Sequence, residues 1–269
     1  MFTITAYNTF KIISVTLIAL GAIMLIPLEE VLLRIQFSEF SSVYIGLAIK
    51  MSIIFLIGYQ IIKKNKLNPI AGLSTTYKWK NKLFNIIPFY LFILGIVSVS
   101  SKDFSEIEIF NVLILLLGCF AVGFAEEFLF RGVIQSLLLK KFAKTNNGIF
   151  KAVLSAALIF GFFHLLNLFK NDNIVAVVVQ VVYATFIGFF FGVLVLKTNK
   201  LIPLAITHAL INFFFSLQFL PGFNTLQNNA PEETSITAII IFLPLFIVGL
   251  TTLKKLNNDT VLEKINTRF

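Results

Sequence analysis

The stretch AEEFLFRG, residues 125–132, places Glu126, Glu127 and Arg131 at the end of the run IFNVLILLLGCFAVGF, which carries no charged residue. On a helix Glu127 and Arg131 stand at i and i+4, in the orientation that favours a charge-assisted pair and lowers the cost of burying both. Glu126 is then left over, and an unpaired carboxylate beside a paired one suits a group that takes and returns a proton. The alternative is that all three form a structural ion cluster tying helices together.

The chain has two histidines, His164 in FGFFHLLN and His208 in THALIN, and both fall in apolar runs. Phe160 precedes His164 by one helical turn, and Asn212 follows His208 by one turn on the same face. An amide beside an imidazole is a pair of donors for a developing oxyanion. The bland alternatives are a packed, hydrogen-bonded histidine and an interhelical amide bond. Two histidines and a glutamate also make a zinc set, but HExxH is absent and the ligands would come from three helices, so no metal or other cofactor is expected. Ser136 and Ser155 have no neighbouring base of the kind a serine protease needs. Lys50 lies about ten residues into an apolar run, where its stem is expected to snorkel towards the interface.

The elements that hold these groups are membrane helices. The 269 residues are 58% hydrophobic and only 13% charged, against about a quarter charged in soluble domains. Apolar runs near 10–28, 43–62, 83–100, 109–139, 149–169, 174–196, 201–219 and 236–253 give eight candidate spans, predicting an all-α polytopic bundle. If the N-terminus is inside, cytoplasmic segments collect 17 basic residues, among them Lys63, Lys64, Lys140, Lys141, Lys254 and Lys255, and the opposite loops only Arg34, Lys102 and Lys170. Both termini are therefore expected in the cytoplasm. The net charge of +9 is accounted for by this bias and implies no nucleic-acid partner. The partners expected are the lipid bilayer and a peptide or membrane-protein substrate.

The first span ends MLIPLEE with no small-x-small cleavage pattern and reads as a retained anchor. GFFFG, Gly188–Gly192, reads as a helix-packing notch. The single Cys119 supplies no disulfide framework. As a straight helix the 31-residue run 109–139 would reach about 46 Å, against about 30 Å of hydrocarbon, so part of it must tilt, kink or leave the lipid. Its carboxylates fall nearer the lysines that end the run, which leads to the expectation of a cavity open to the cytoplasm.

EExxxR (Glu126, Glu127, Arg131), FxxxH (Phe160, His164) and HxxxN (His208, Asn212), in this order on successive segments, resemble the CPBP family, the CAAX proteases and bacteriocin-processing enzymes also called ABI proteins. The resemblance spans residues 126–212, inside a motif core of 120–219 in a single membrane domain, 1–269. It implies an eight-span glutamic intramembrane endopeptidase, metal-independent. The heavy use of Phe, Ile, Lys and Asn, the amino acids of A/T-rich codons, points separately to a low-GC bacterium and so to a bacterial plasma membrane. Glu126 would be the general base and His164 would position or deprotonate the water. His208 and Asn212 would stabilise the oxyanion, while Glu127, Arg131 and Phe160 would support the site. The family also includes bacteriocin-immunity proteins and regulators, so a non-proteolytic membrane scaffold is the competing expectation. A transporter is disfavoured by the lack of an internal repeat.

Overall fold

The computed structural model describes residues 6–169, 171–223 and 236–266, and among these every regular element is helical. In chain order they are α1 (Ala6–Met24), α2 (Leu28–Arg34), α3 (Glu39–Lys64), a 3-10 helix (Lys82–Phe89) leading into α4 (Tyr90–Val97), α5 (Ile109–Glu126), a π-helical stretch (Glu127–Gln135) leading into α6 (Ser136–Phe142), α7 (Gly148–Phe163), a 3-10 turn (His164–Phe169), α8 (Ile174–Thr198), α9 (Ile202–Ser216), α10 (Thr237–Lys254) and α11 (Asn258–Asn266). Of the residues used for orientation, Lys170 and Arg268 lie outside the described residues.

Seven stretches are long and apolar enough to cross a bilayer, one fewer than the eight expected. The difference is the segment near 83–100. Pro88 lies inside its 3-10 helix, and the α-helical part is only eight residues long. At about 2.0 Å per residue for the 3-10 part and about 1.5 Å for α4, the two together still reach about 28 Å. The side chain of Asn81, just before it, bonds the Lys197 carbonyl at 3.0 Å, and Lys102, just after it, bonds the Gln218 carbonyl at 3.2 Å. The segment thus runs from one face of the bundle to the other.

Those two faces are chemically distinct. On one, Lys140 Nζ donates to the Asn65 carbonyl at 3.0 Å, Lys200 Nζ to the Ser74 carbonyl at 2.9 Å, and Lys141 sits over the Phe10 ring. Lys264 of α11 is buried here against Asn199 Oδ1. The lysine-rich segments are therefore gathered together, as the loop bias requires. The opposite face carries the α1–α3 connection, the segment after α4, the turn after α7 and the end of α9.

The first span is broken. Pro27 separates α1 from α2, and the gap is bridged by Lys50, whose Nζ donates to the Ile26 carbonyl at 3.3 Å and to Glu29 Oε2 at 2.8 Å. Its side chain is buried rather than snorkelling to the interface. An ammonium buried within a span is tolerated when a carboxylate holds it, and Glu29 does so beside the proline break.

The long run also departs from a straight α-helix. From Glu127 to Gln135 it is π-helical, with Ser136 Oγ bonded to the carbonyl of Arg131, five residues back, at 3.1 Å. Single π-helical turns inside α-helices concentrate at functional sites, and this one begins at the second carboxylate.

The closest packing lies between α3 and α5, α7 and α8, α8 and α10, and α5 and α9. GFFFG is a packing notch: the Gly192 carbonyl accepts from Gln135 Nε2 at 3.0 Å, and a Cβ on Gly188 would meet the Phe160 ring at 2.9 Å. At the α5–α9 crossing, a Cβ on Gly123 would lie 2.6 Å from the backbone nitrogen of Ala209. The obstruction is backbone, so α9 itself would have to move. Gly123→Ala is expected to destabilise by about 1–3 kcal/mol and to draw His208 away from the carboxylates. Gly21→Ala, where a Cβ meets nothing within 4 Å, is expected to be silent. Thermal denaturation in detergent compares the two; equal stability would refute the account of the crossing.

Candidate active site

Glu126 is the last residue of α5 and Glu127 the first of the π-helical stretch, so the two carboxylates diverge. Glu127 is fully buried. Its Oε1 receives Arg131 Nη1 at 2.7 Å, as the i, i+4 spacing predicts, and also His208 Nδ1 at 2.8 Å. Oε2 of Glu127 and Nη2 of Arg131 are buried with no hydrogen-bond partner. The guanidinium packs over the Phe160 ring, 4.5 Å from its centroid, and over Phe191 at 5.6 Å. This charge is thus held by one carboxylate oxygen and two aromatic faces.

Glu126 has a different setting. Its side chain retains 18% exposure, and its nearest ionic neighbour is His208 Nε2 at 3.5 Å from Oε2. His208 therefore bridges the carboxylates, one ring nitrogen towards each. Because an ionised carboxylate only accepts, the bond to Glu127 puts a proton on Nδ1 and turns Nε2 towards Glu126. Sequence spacing gives no sign of this bridge, since Glu127 and His208 are 81 positions apart. In the sequence reading Glu127 serves chiefly to hold its own helix; here it also orients a histidine.

His164 begins the 3-10 turn that ends α7, and its Nδ1 lies 3.0 Å from the Phe160 carbonyl. A carbonyl can only accept, so Nδ1 carries the proton and Nε2 is left for another partner. Phe160 packs edge-on against His164 at 4.9 Å and reaches His208 at 6.3 Å between centroids. The FxxxH spacing thus fixes both the tautomer and the orientation of the ring. Asn212 lies one turn beyond His208 on α9.

Glu126, Phe160, His164, His208 and Asn212 all line one cavity of about 360 Å³. Glu127 and Arg131 lie behind its wall. Three polar residues of the cavity were missed from the sequence: Asn167, Gln180 and Tyr183. Asn167 Nδ2 donates to Gln180 Oε1 at 2.8 Å. The available signal was a lone amide in an apolar run, Gln180 in IVAVVVQVVY.

The cavity lies towards one face of the bundle. Its walls come from the last turn of α1, the turn after α7, the first half of α8 and the second half of α9. All of these lie on the side away from the lysine-rich face. Among the described residues no group of three or more His, Cys, Asp or Glu side chains is arranged to hold a metal ion.

Residues 108–214 match a protein family described as "Type II CAAX prenyl endopeptidase Rce1-like". Comparison with curated proteins and with solved structures gives no significant match. The matched segment contains every motif residue from Glu126 to Asn212, and it supports the resemblance of this part of the chain to the CAAX proteases.

Proposed function

We propose that this protein is an intramembrane endopeptidase that cleaves a peptide or membrane-protein substrate with a water activated by Glu126. The observation that carries this reading is the division of labour between adjacent carboxylates. Glu127 is buried and engaged by Arg131 and His208, while Glu126 is exposed to a cavity that also contains His164 and Asn212.

In this mechanism Glu126 removes a proton from water held between its carboxylate and Nε2 of His164, and the hydroxide attacks the scissile carbonyl carbon. The tetrahedral oxyanion accepts hydrogen bonds from Asn212 Nδ2 and from a protonated Nε2 of His208. Glu127, bound to Nδ1, balances the charge of that imidazolium, much as a carboxylate does in other histidine-dependent hydrolases. Glu126 then returns its proton to the amide nitrogen as the C–N bond breaks, giving a carboxylic acid and an amine. One water is consumed and Glu126 regains its starting state.

The setting proposed is a bacterial cell membrane. The mechanism is metal-independent, so treating purified protein in detergent with EDTA or 1,10-phenanthroline should leave cleavage unchanged. Loss of activity that zinc restores would replace the glutamate mechanism with a metal one. The direct test of the activity is comparison of peptide termini in membranes holding wild-type protein or Glu126→Gln at equal abundance. Termini present only with wild type are expected; an identical set in both would refute the proposal.

A further inference from the structure

We infer that the site takes its substrate from the side of the membrane opposite the cytoplasm, as an extended, apolar segment of an exported or membrane-anchored peptide. This rests on the endopeptidase reading above and adds the side and the substrate class.

The first support is orientation. The chain places 17 basic residues in one set of loops and three in the other, and the structure gathers the first set on one face through Lys140, Lys141 and Lys200. Short loops rich in Lys and Arg stay in the cytoplasm.

The second is where the cavity stops. Beyond the catalytic level, towards the lysine-rich face, the bundle is closed by Ile62, Val133, Leu137, Val195, Leu201 and Leu204, each no more than 1% exposed. Close-packed apolar side chains admit neither water nor a peptide. On the other side, Met24 ends α1, while His164 and Asn167 belong to the turn closing α7. Glu126 therefore has its access from the lysine-poor face. A substrate whose scissile bond lay in the cytoplasm would have to cross the packed half to reach it.

The third is the chemistry of the walls. Leu20, Met24, Leu47, Met51 and Phe242 make them largely apolar, and the Asn167–Gln180 pair adds amides that no catalytic step uses. Each amide has more donors and acceptors than the single bond between them consumes. Such groups suit the N–H and C=O of an extended backbone, whose alternate side chains would meet the apolar walls. About 360 Å³ holds a few side chains and excludes a folded domain.

Two measurements test this. Asn167→Cys and Asn146→Cys are made separately in a Cys119→Ser background and treated with a membrane-impermeant maleimide, in spheroplasts and in inverted membrane vesicles. Asn167→Cys should label in spheroplasts and Asn146→Cys, in the turn before α7, only in inverted vesicles. Labelling of Asn167→Cys from the inverted side, from both sides, or from neither would overturn the inference. Labelling is independent of turnover, so it stands or falls separately from the Glu126→Gln comparison. In the second measurement, termini that depend on wild-type protein are mapped onto the topology of the proteins they come from. They should fall in apolar, extracytoplasmic segments; termini confined to cytoplasmic segments would overturn the inference even if cleavage itself were established.

Discussion

Glu126→Gln is expected to abolish turnover while leaving the protein in the membrane at its normal level. Glutamine has almost the same shape as glutamate and keeps a carbonyl oxygen to face His208 Nε2, which lies 3.5 Å from Oε2 in the native protein. It does not accept a proton at neutral pH. Positioned general bases typically contribute about 10²–10⁴ in rate, so cleavage should fall by at least that range. Stability should hardly change, because Glu126 lines a cavity and is not part of the buried pair. The assay is substrate cleavage or the phenotype it supports, normalised to protein in the membrane. Full function at normal abundance would remove the hydrolytic mechanism and favour a protein that binds a membrane partner without cutting it.

Glu127→Gln and Arg131→Ala are expected to lower abundance as well as activity. Arg131 is among the largest fully buried side chains, and removing one member of a buried ion pair leaves the other uncompensated at a cost of about 3–5 kcal/mol. Glu127→Gln also weakens the hold on His208 Nδ1, now at 2.8 Å, so the protein that survives should turn over slowly. Arg131→Lys is the informative intermediate: it restores charge but loses the planar group stacked on Phe160. Thermal denaturation in detergent should rank wild type and Glu126→Gln together at the top, Arg131→Lys below them, and Arg131→Ala lowest. If Arg131→Ala melts with wild type, the pair is not structural.

Much of this protein is fixed by local sequence. Apolar runs of about 20 residues can satisfy their backbone in lipid only as helices, so the membrane class follows from composition and run length. A spacing of four residues is equally local: Glu127 with Arg131 and Phe160 with His164 meet in the structure because one helical turn brings them together. The resemblance drawn from Glu126, His164, His208 and Asn212 agrees with the family match over 108–214. Tertiary structure decided what lies between helices. Segment 83–100 crosses the bundle with only eight α-helical residues because its first half is a 3-10 helix, whose longer rise hydropathy does not register. Lys50 meets Glu29 across a proline break, a pairing no periodicity encodes. The Glu127–His208 bond depends on the close approach at Gly123, and the side on which the cavity lies depends on which half of the bundle fills with side chains. Hydropathy measures transfer of a single segment into lipid, whereas contacts between segments are set by the shapes of residues distant in sequence, which meet only when the bundle packs.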